Sequence, residues 1–238
     1  TGAASSFGEA VLEAFPFAAY VSKTITLQER AGNPPPRLWE ASAGLINSIG
    51  LPNSGLASYL GDHLPRLHEL LSRATPAGAG PGVPLITNVM GASVEELAEL
   101  VSACAEREEI AALELNVSCP NVKTGLDIGA DPDTLGAVVA ELRPLSAKPM
   151  IVKLTPNTAD VASCAVACER AGADAVSLIN TLRATALAPH RSDGDGERWL
   201  GGSSGGLSGP AIRSVALAQV AAVAASVRLP VVGMGGVQ

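Results

Sequence analysis

Six short, nearly continuous apolar runs recur along the chain, and segments with helical periodicity separate most of them. Such runs are typical of parallel strands, which are buried on both faces because helices cover the sheet. Consecutive parallel strands need a long crossover connection, and an intervening helix supplies it. The sequence therefore predicts a parallel α/β sheet, with strands within residues 18–25, 83–90, 111–118, 149–155, 174–181 and 229–236.

Three segments between these runs carry the signals that start and end helices. Ser93 precedes one helical pattern, and Glu96 stands three residues after Ser93, which is a capping-box arrangement. Gly172 stands just after another such pattern, where glycine commonly ends a helix. We therefore expect helices within residues 93–107, 132–142 and 160–171.

Two architectures fit the alternation of strands and helices: an open doubly wound sheet and a closed (β/α)8 TIM barrel. Ala3 to Gly8 fit the loop that leaves an absent first strand, and Gly235-Gly236 fit the loop that leaves the seventh. One further βα unit would then complete the barrel. We therefore expect a single α/β domain of the TIM-barrel type over residues 1–238, with the first and last strands missing from the chain.

The composition excludes several kinds of partner. The net charge is −7 and the basic residues are scattered, so neither a nucleic acid nor an anionic membrane surface is the expected partner. Apolar residues make up 47% of the chain, but their runs are strand-length and interrupted, so no transmembrane span is expected. Four cysteines without a secretion signal indicate a reducing, cytoplasmic location. With these partners excluded, a small molecule is the expected ligand.

One strand opens abruptly into polar residues, in Asn116-Val117-Ser118-Cys119-Pro120-Asn121. Polar residues at the carboxyl end of a barrel strand are typical of an active site. Pro120 favours an extended conformation at Cys119, which places the thiol on a stiff turn among hydrogen-bonding groups. A packing role is the usual alternative for a single cysteine, and the polar neighbours favour proton transfer by Cys119 instead.

The other three cysteines are predicted to pack in the core. Cys104 falls in a helical pattern, and Cys164 and Cys168 are four residues apart on one predicted helix. No third ligand accompanies this pair, so packing is favoured over metal binding, and no metal site is expected.

Lys23 and Lys153 stand in otherwise apolar strands. A lysine at a strand end can extend its ammonium group into solvent, whereas a buried lysine requires an anionic partner. Two lysines at comparable strand ends favour a shared anionic ligand, such as a carboxylate or a reduced flavin.

Asparagines recur at the predicted strand ends and in the long segment over residues 28–61. Each of them alone is commonly a turn residue. Their recurrence favours a planar heterocycle, such as a pyrimidine or an isoalloxazine, because an amide both donates and accepts hydrogen bonds. The positions are Asn47, Asn53, Asn88, Asn116, Asn121 and Asn180.

Two glycine-rich segments late in the chain, residues 201–209 and 233–236, offer bare backbone N–H groups that can bind a phosphate. Barrels commonly bind phosphate in the loops after the last two strands. A G-x-G-x-x-G segment after an early strand is absent, so direct nicotinamide binding is not expected. Residues 28–61 and 182–209 follow strand ends and are predicted to be active-site loops.

A series of motifs in order along the chain carries a family resemblance. With these motifs the chain resembles the class 1 dihydroorotate dehydrogenases, and among them the NAD-linked 1B catalytic subunit. The motifs are Ser22-Lys23-Thr24, Gly32 to Arg37, Ile46 to Asn53, Asn116 to Asn121, Ile179-Asn180-Thr181, Gly205 to Ile212 and Gly233 to Gly236.

The resemblance implies FMN at the top of the barrel and oxidation of (S)-dihydroorotate to orotate in de novo pyrimidine (UMP) biosynthesis. It implies that Cys119 is the base that removes a proton from C5 while a hydride passes from C6 to the flavin. The implied substrate contacts are Lys23, Asn47, Ser48, Ile49, Gly50, Leu51, Asn116, Asn121, Asn180 and Thr181. The implied FMN contacts are Lys23, Thr24, Asn88, Asn116, Lys153, Ile179, Gly209, Gly235 and Gly236.

The resemblance also bears on partners. Cys119, where class 2 enzymes carry serine, points to class 1. Residues 121–125, 179–181 and 206–209 resemble the NAD-linked subclass, which works with a separate FAD and iron–sulfur subunit, whereas residues 47–53 also resemble the fumarate-using subclass. A homodimer is expected. Two alternatives stay open: a related flavin barrel acting on another dihydropyrimidine, and a non-catalytic truncated barrel.

Overall fold

A computed structural model of the chain describes residues 15–74, 82–118, 128–188 and 198–237. The strands are β1 (Tyr20–Val21), β2 (Leu38–Ala41), β3 (Gly44–Asn47), β4 (Leu85–Val89), β5 (Ala112–Asn116), β6 (Met150–Lys153), β7 (Ala175–Leu178), β8 (Leu182–Ala184), β9 (Gly205–Ser208) and β10 (Val231–Gly233). The helices are α1 (Gly55–Ser58), which continues through a π-helical turn (Tyr59–His63) into α2 (Leu64–Arg73), then α3 (Val94–Ala105), α4 (Pro132–Leu142), α5 (Val161–Arg170) and α6 (Arg213–Ala224). Short 3-10 turns lie at Ile128–Ala130, Arg143–Leu145 and Pro210–Ile212.

None of the helices in the described part of the chain is long and apolar enough to cross a membrane.

Six of the strands form one parallel sheet in the order β1-β4-β5-β6-β7-β10. Each parallel strand therefore lies beside the parallel strand that precedes it in the chain. A doubly wound sheet would reverse its strand order at a switch point, whereas a barrel adds strands in one direction. The order confirms the predicted barrel class, and each of the six strands falls within its predicted range.

The two faces of the parallel sheet differ in chemistry. Leu113 and Leu115 of β5 pack in the same hydrophobic cluster as Leu97 and Leu100 of α3, so this face meets the helices. The alternating residues point the other way, and neighbouring parallel strands pair Asn88 with Glu114, Asn116 with Lys153, and Lys153 with Ser177. The inner face is consequently polar towards the carboxyl ends of the strands.

The predicted helices form with the expected caps. The Ser93 hydroxyl accepts the N–H of Glu96 at 3.3 Å, and the Glu96 carboxylate accepts the N–H of Ala92 at 2.8 Å. At the end of α5, Gly172 adopts a φ of 91° and donates its N–H to Glu169 O at 3.1 Å. Helix α4 has the predicted bounds. Local capping chemistry thus determines where these helices begin and end.

The two long segments that were expected to be loops pair with each other. They contribute a second sheet, which is antiparallel and has the order β2-β3-β9-β8. Its strands approach closely, because a Cβ at Gly44 would lie 2.1 Å from Ser208 O and a Cβ at Gly205 would lie 2.2 Å from Asn47 O. Glycine has low strand propensity, so β3 and β9, which contain it, are not apparent from the sequence.

Tyr59 anchors the helical segment over the sheet. Its hydroxyl lies 2.7 Å from Thr87 Oγ1, and both side chains are buried. Tyr59→Phe should lower the free energy of unfolding by about 1–2 kcal/mol, because the buried Thr87 hydroxyl loses its partner. Urea denaturation measures this change. Tyr59→Phe combined with Thr87→Val should recover part of the loss, and equal stabilities of the wild type and Tyr59→Phe would contradict the anchoring role.

Candidate active site

Three polar side chains meet where β5 and β7 end. Asn180 Nδ2 donates to Ser118 Oγ at 2.9 Å and approaches Asn116 Oδ1 at 3.4 Å. Asn116 Oδ1 also accepts the N–H of Ser118 at 3.3 Å. Strands β5 and β7 are not neighbours, so this network crosses above β6. The predicted residues Asn116 and Asn180 are thus brought together at one edge of the barrel sheet.

The network continues to Asn47 through Thr181 and Gly206. Thr181 donates its N–H to Asn180 Oδ1 at 2.9 Å, and Asn47 Nδ2 donates to Gly206 O at 3.2 Å. A Cβ at Gly206 would lie 1.9 Å from Thr181 Oγ1 and 2.4 Å from Thr181 Cβ. Only glycine therefore allows Thr181 to pack against β9. Asn47, Asn116, Asn180 and Thr181 belong to one continuous polar region.

The segment Ser48-Ile49-Gly50-Leu51 is held by bonds to its surroundings. Ser48 Oγ donates to Ser204 O at 2.7 Å and accepts from Asn33 Nδ2 at 2.9 Å. Ile49 O accepts the N–H of Asn33 at 3.0 Å. Gly50 and Leu51 adopt left-handed φ values of 76° and 55° in succession. A non-glycine residue in this conformation is uncommon, so the surrounding bonds impose the shape of the segment.

Asn53 has a structural role instead of a ligand-binding one. Its Nδ2 donates to Thr26 Oγ1 at 2.8 Å and to Leu51 O at 2.9 Å. Its Oδ1 accepts the N–H groups of Thr26 at 3.2 Å and Gly55 at 2.9 Å. The Asn53 amide therefore donates two hydrogen bonds and accepts two. These bonds link the end of the Ser48–Leu51 segment to the residues that follow β1.

Lys23 and Thr24 follow β1 and lie beside Asn88. The Ser22 hydroxyl accepts the N–H of Asn88 at 3.1 Å, and Ile25 donates its N–H to Asn88 O at 2.9 Å, so the intervening pair is fixed next to β4. Partial desolvation lowers the pKa of the Lys23 ammonium, although the side chain remains exposed. A lowered pKa means that an anion beside Lys23 would stabilise its charged form.

Lys153 ends β6 between Asn116 on one side and Ser177 on the other. Within the described ranges, neither the Lys153 nor the Lys23 ammonium makes a hydrogen bond or an ion pair. The Lys23 side chain is exposed and the Lys153 side chain is half-buried, so both ammonium groups are available to an anion on the inner face, and the anionic ligand stays a prediction.

Glu114 and Ser177, which the sequence did not single out, form a buried trio with the predicted residue Asn88. Glu114 is 3% exposed, and its carboxylate accepts from Asn88 Nδ2 at 2.6 Å and from Ser177 Oγ at 2.7 Å. Asn88 Oδ1 is buried and accepts no hydrogen bond within the described part of the chain. A buried amide oxygen without a donor costs about 1–3 kcal/mol, so a ligand that supplies an N–H or O–H there gains affinity.

The predicted glycines Gly209, Gly235 and Gly236 gather at the start of α6. A Cβ at Gly236 would lie 2.6 Å from Gly209 O and 3.2 Å from Arg213 N, and one at Gly235 would lie 3.3 Å from Ile179 Cγ1. All three glycines have positive φ values of 92°, 116° and 67°. Ile179 donates its N–H to Met234 O at 3.1 Å, and the peptide that precedes Ile179 is cis. Glycines beside a helix start leave backbone N–H groups uncovered by side chains, and such groups can bind a phosphate.

Two predicted site residues, Cys119 and Asn121, lie outside the described residues. Cys104, Cys164 and Cys168 are free thiols and fully buried, which confirms the packing role expected of them. Burial raises the pKa of Cys104 and of Cys168 to about 12. These thiols are therefore protonated and inert at neutral pH.

A parallel βα sheet of the barrel type, with amides and lysines at the carboxyl ends of its strands, is the architecture of a barrel enzyme. The sequence model of the family described as Dihydroorotate dehydrogenase matches residues 4–238. The chain belongs to the dihydroorotate dehydrogenase family, whose members are oxidoreductases.

Individual relatives carry a more specific name. The chain is 44% identical over 220 residues to the "Dihydroorotate dehydrogenase B (NAD(+)), catalytic subunit" of Desulforudis audaxviator (strain MP104C). The aligned residues make up 92% of this chain and 67% of the relative. It is 43% identical to the protein of the same name from Trichlorobacter lovleyi, with the same coverage. The protein of that name from Bacillus pumilus is 41% identical over 217 residues, or 91% of this chain and 65% of the relative. The chain thus spans about two thirds of the length of these relatives.

Proposed function

We propose that the chain oxidises (S)-dihydroorotate to orotate in pyrimidine biosynthesis, with FMN as its cofactor. The observation that carries the proposal is the joining of Asn47, Asn116, Asn180 and Thr181, from distant parts of the chain, into one polar region. Membership of the dihydroorotate dehydrogenase family supports the same reaction. The carbonyl and N–H groups of a pyrimidine ring match the donors and acceptors of these amides.

The residues present fit FMN. Asn88 Oδ1 is a buried acceptor that needs a donor, which an imide N–H of a flavin ring can provide. Gly209, Gly235 and Gly236 form a cradle that a side chain would fill, and its N–H groups at the start of α6 suit a phosphate. Lys23 and Lys153 supply positive charge on the inner face. Bound FMN would provide the acceptor for the two electrons removed from the substrate.

The chain's own groups have two tasks in this reaction. Lys23, the asparagines and the Ser48–Leu51 segment would bind and orient the anionic substrate. Cys119 would accept the proton that leaves C5 as the hydride leaves C6, so that a C5=C6 double bond forms and orotate results. A free thiol has a pKa of about 8.5 and is only partly ionised at neutral pH, so the rate should rise towards alkaline pH.

Partner subunits are part of the proposal. The relatives are named catalytic subunits of an NAD(+) enzyme, which implies a second subunit in those proteins. We propose that this chain likewise works with a FAD and iron–sulfur subunit, and that it forms a homodimer. Co-purification of an iron–sulfur protein with the tagged chain supports the first point, whereas reoxidation by fumarate without that partner would favour the fumarate-using subclass. The cytoplasmic location stays a prediction.

Anaerobic reduction of the bound flavin tests the reaction. The FMN-loaded protein should lose its flavin absorbance when dihydroorotate is added, and should keep it when dihydrouracil is added. The reverse preference would assign the chain to another dihydropyrimidine. A purified protein that stays colourless with added FMN would instead support the non-catalytic barrel.

Thiol labelling distinguishes Cys119 from the core cysteines. In the native protein, iodoacetamide should modify Cys119 alone, because Cys104, Cys164 and Cys168 are fully buried. Peptide mass spectrometry identifies the labelled position, and all four cysteines should react in denaturant. Native labelling of a core cysteine as fast as Cys119, or no labelling of Cys119, would count against a reactive thiol in the Asn116–Asn121 motif.

A further inference from the structure

Glu114 is a buried acidic residue without an assigned role in the proposed chemistry. It points to the inner face from the middle of β5, two residues before Asn116. One carboxylate oxygen accepts from Asn88 Nδ2 and the other accepts from Ser177 Oγ, at 2.6 and 2.7 Å. Ser177 lies on β7, so these bonds link three strands of the barrel sheet.

The carboxylate determines which way the Asn88 amide points. A carboxylate whose oxygens both accept hydrogen bonds offers no donor, so the NH2 group of Asn88 must face it. The opposite orientation would place Asn88 Oδ1 against an anionic oxygen, which is repulsive. Glu114 therefore directs Asn88 Oδ1 away from itself, and this is the buried oxygen that has no donor within the described ranges.

We propose that Glu114 is a positioning residue for the cofactor. By holding the Asn88 amide in one orientation, it presents a hydrogen-bond acceptor, and never a donor, to the flavin ring. The inference rests on the proposed FMN site. It adds that Glu114 determines whether Asn88 accepts or donates the hydrogen bond to the flavin ring. A cofactor ring that donates an N–H at this position is selected over a ring that offers only a carbonyl.

A reciprocal exchange of the two side chains tests the inference. Glu114→Gln reverses the constraint, because the glutamine keeps its oxygen on Ser177 Oγ and then presents its NH2 group to Asn88, which turns Asn88 Oδ1 towards position 114 and the Asn88 NH2 group towards the cofactor. Asn88→Asp places two carboxylates against each other. The double variant Asn88→Asp/Glu114→Gln restores the pairing in reverse, because the new amide at position 114 donates to the new carboxylate at position 88. The second oxygen of that carboxylate remains an acceptor for the cofactor, and the net charge equals that of the wild type.

The measured quantities are the dissociation constant for FMN and the shift in melting temperature that FMN produces, both without substrate. Each single variant should weaken FMN binding by about tenfold or more, which corresponds to the loss of one buried hydrogen bond. The double variant should return to within about threefold of the wild type. Ser177→Ala is the matched control, because it removes the other bond to Glu114 and leaves the Asn88 contact in place, and it should change FMN affinity little.

The outcomes separate this inference from the proposed function. Wild-type protein that binds FMN, together with a Glu114→Gln variant of unchanged affinity, overturns the positioning role alone. So does a double variant that binds no better than the single variants, which would indicate a purely structural contact. Wild-type protein that binds no FMN overturns the proposed function and this inference with it. If Glu114→Gln does not fold, the comparison of Asn88→Asp with the double variant decides.

Discussion

Cys119→Ala should slow the reduction of bound FMN by dihydroorotate by about two to four orders of magnitude at neutral pH, while FMN remains bound. This range is what a general base contributes to proton removal. The amides of Asn116 and Asn180, which we propose to bind the substrate, and the glycines that we propose to bind the phosphate are unchanged in the variant, so binding should persist. Anaerobic stopped-flow absorbance measures the rate, and equilibrium titration measures the binding.

Two further variants test whether the loss of rate is specific to the thiol of Cys119. Cys119→Ser should be slower than the wild type and should need more alkaline conditions, because a hydroxyl ionises far less readily than a thiol. Cys168→Ala changes a fully buried thiol of α5 and should leave the reduction rate unchanged. A Cys119→Ala protein that reduces flavin at the wild-type rate would remove Cys119 from the mechanism.

Gly236→Ala should weaken FMN binding by about tenfold to a hundredfold. Gly236 has a φ of 67°, where alanine is strained by about 1–2 kcal/mol. The new Cβ would also lie 2.6 Å from Gly209 O, so the backbone of the cradle would have to move. Quenching of flavin fluorescence on binding gives the dissociation constant.

Gly61→Ala is the matched control for the cradle variant. Gly61 lies in the π-helical turn, and a Cβ there would meet nothing within 4 Å. Alanine in a helical position should keep or slightly raise stability, and FMN affinity should not change. If Gly236→Ala binds FMN as tightly as Gly61→Ala does, the phosphate does not lie against Gly236.

The sequence alone determined the six strands of the parallel sheet and three of the helices that pack beside it. Continuous apolar runs such as those at Leu85–Val89 and Ala112–Asn116, and caps such as Ser93 and Asp160, are local signals that do not depend on distant residues. The ordered motifs likewise predict Asn47, Asn116, Asn180 and the late glycines as site residues, because each motif is contiguous, and their role in binding stays a prediction.

The tertiary structure alone decided how distant segments meet. The antiparallel sheet was not predictable, since two of the four residues of β9 are glycines, which are needed only because β9 passes close to Asn47 and Thr181. Asn53 could not be separated from the asparagines predicted to bind a ligand until its hydrogen bonds to Thr26, Leu51 and Gly55 were known. Glu114 gave no sequence signal at all, because a single acid in an apolar strand becomes meaningful only when Asn88 and Ser177 converge on it. Hydrophobic periodicity and helix capping depend on residues that are close in the sequence. The partners of a buried polar group depend instead on strand order and register, which bring distant residues together.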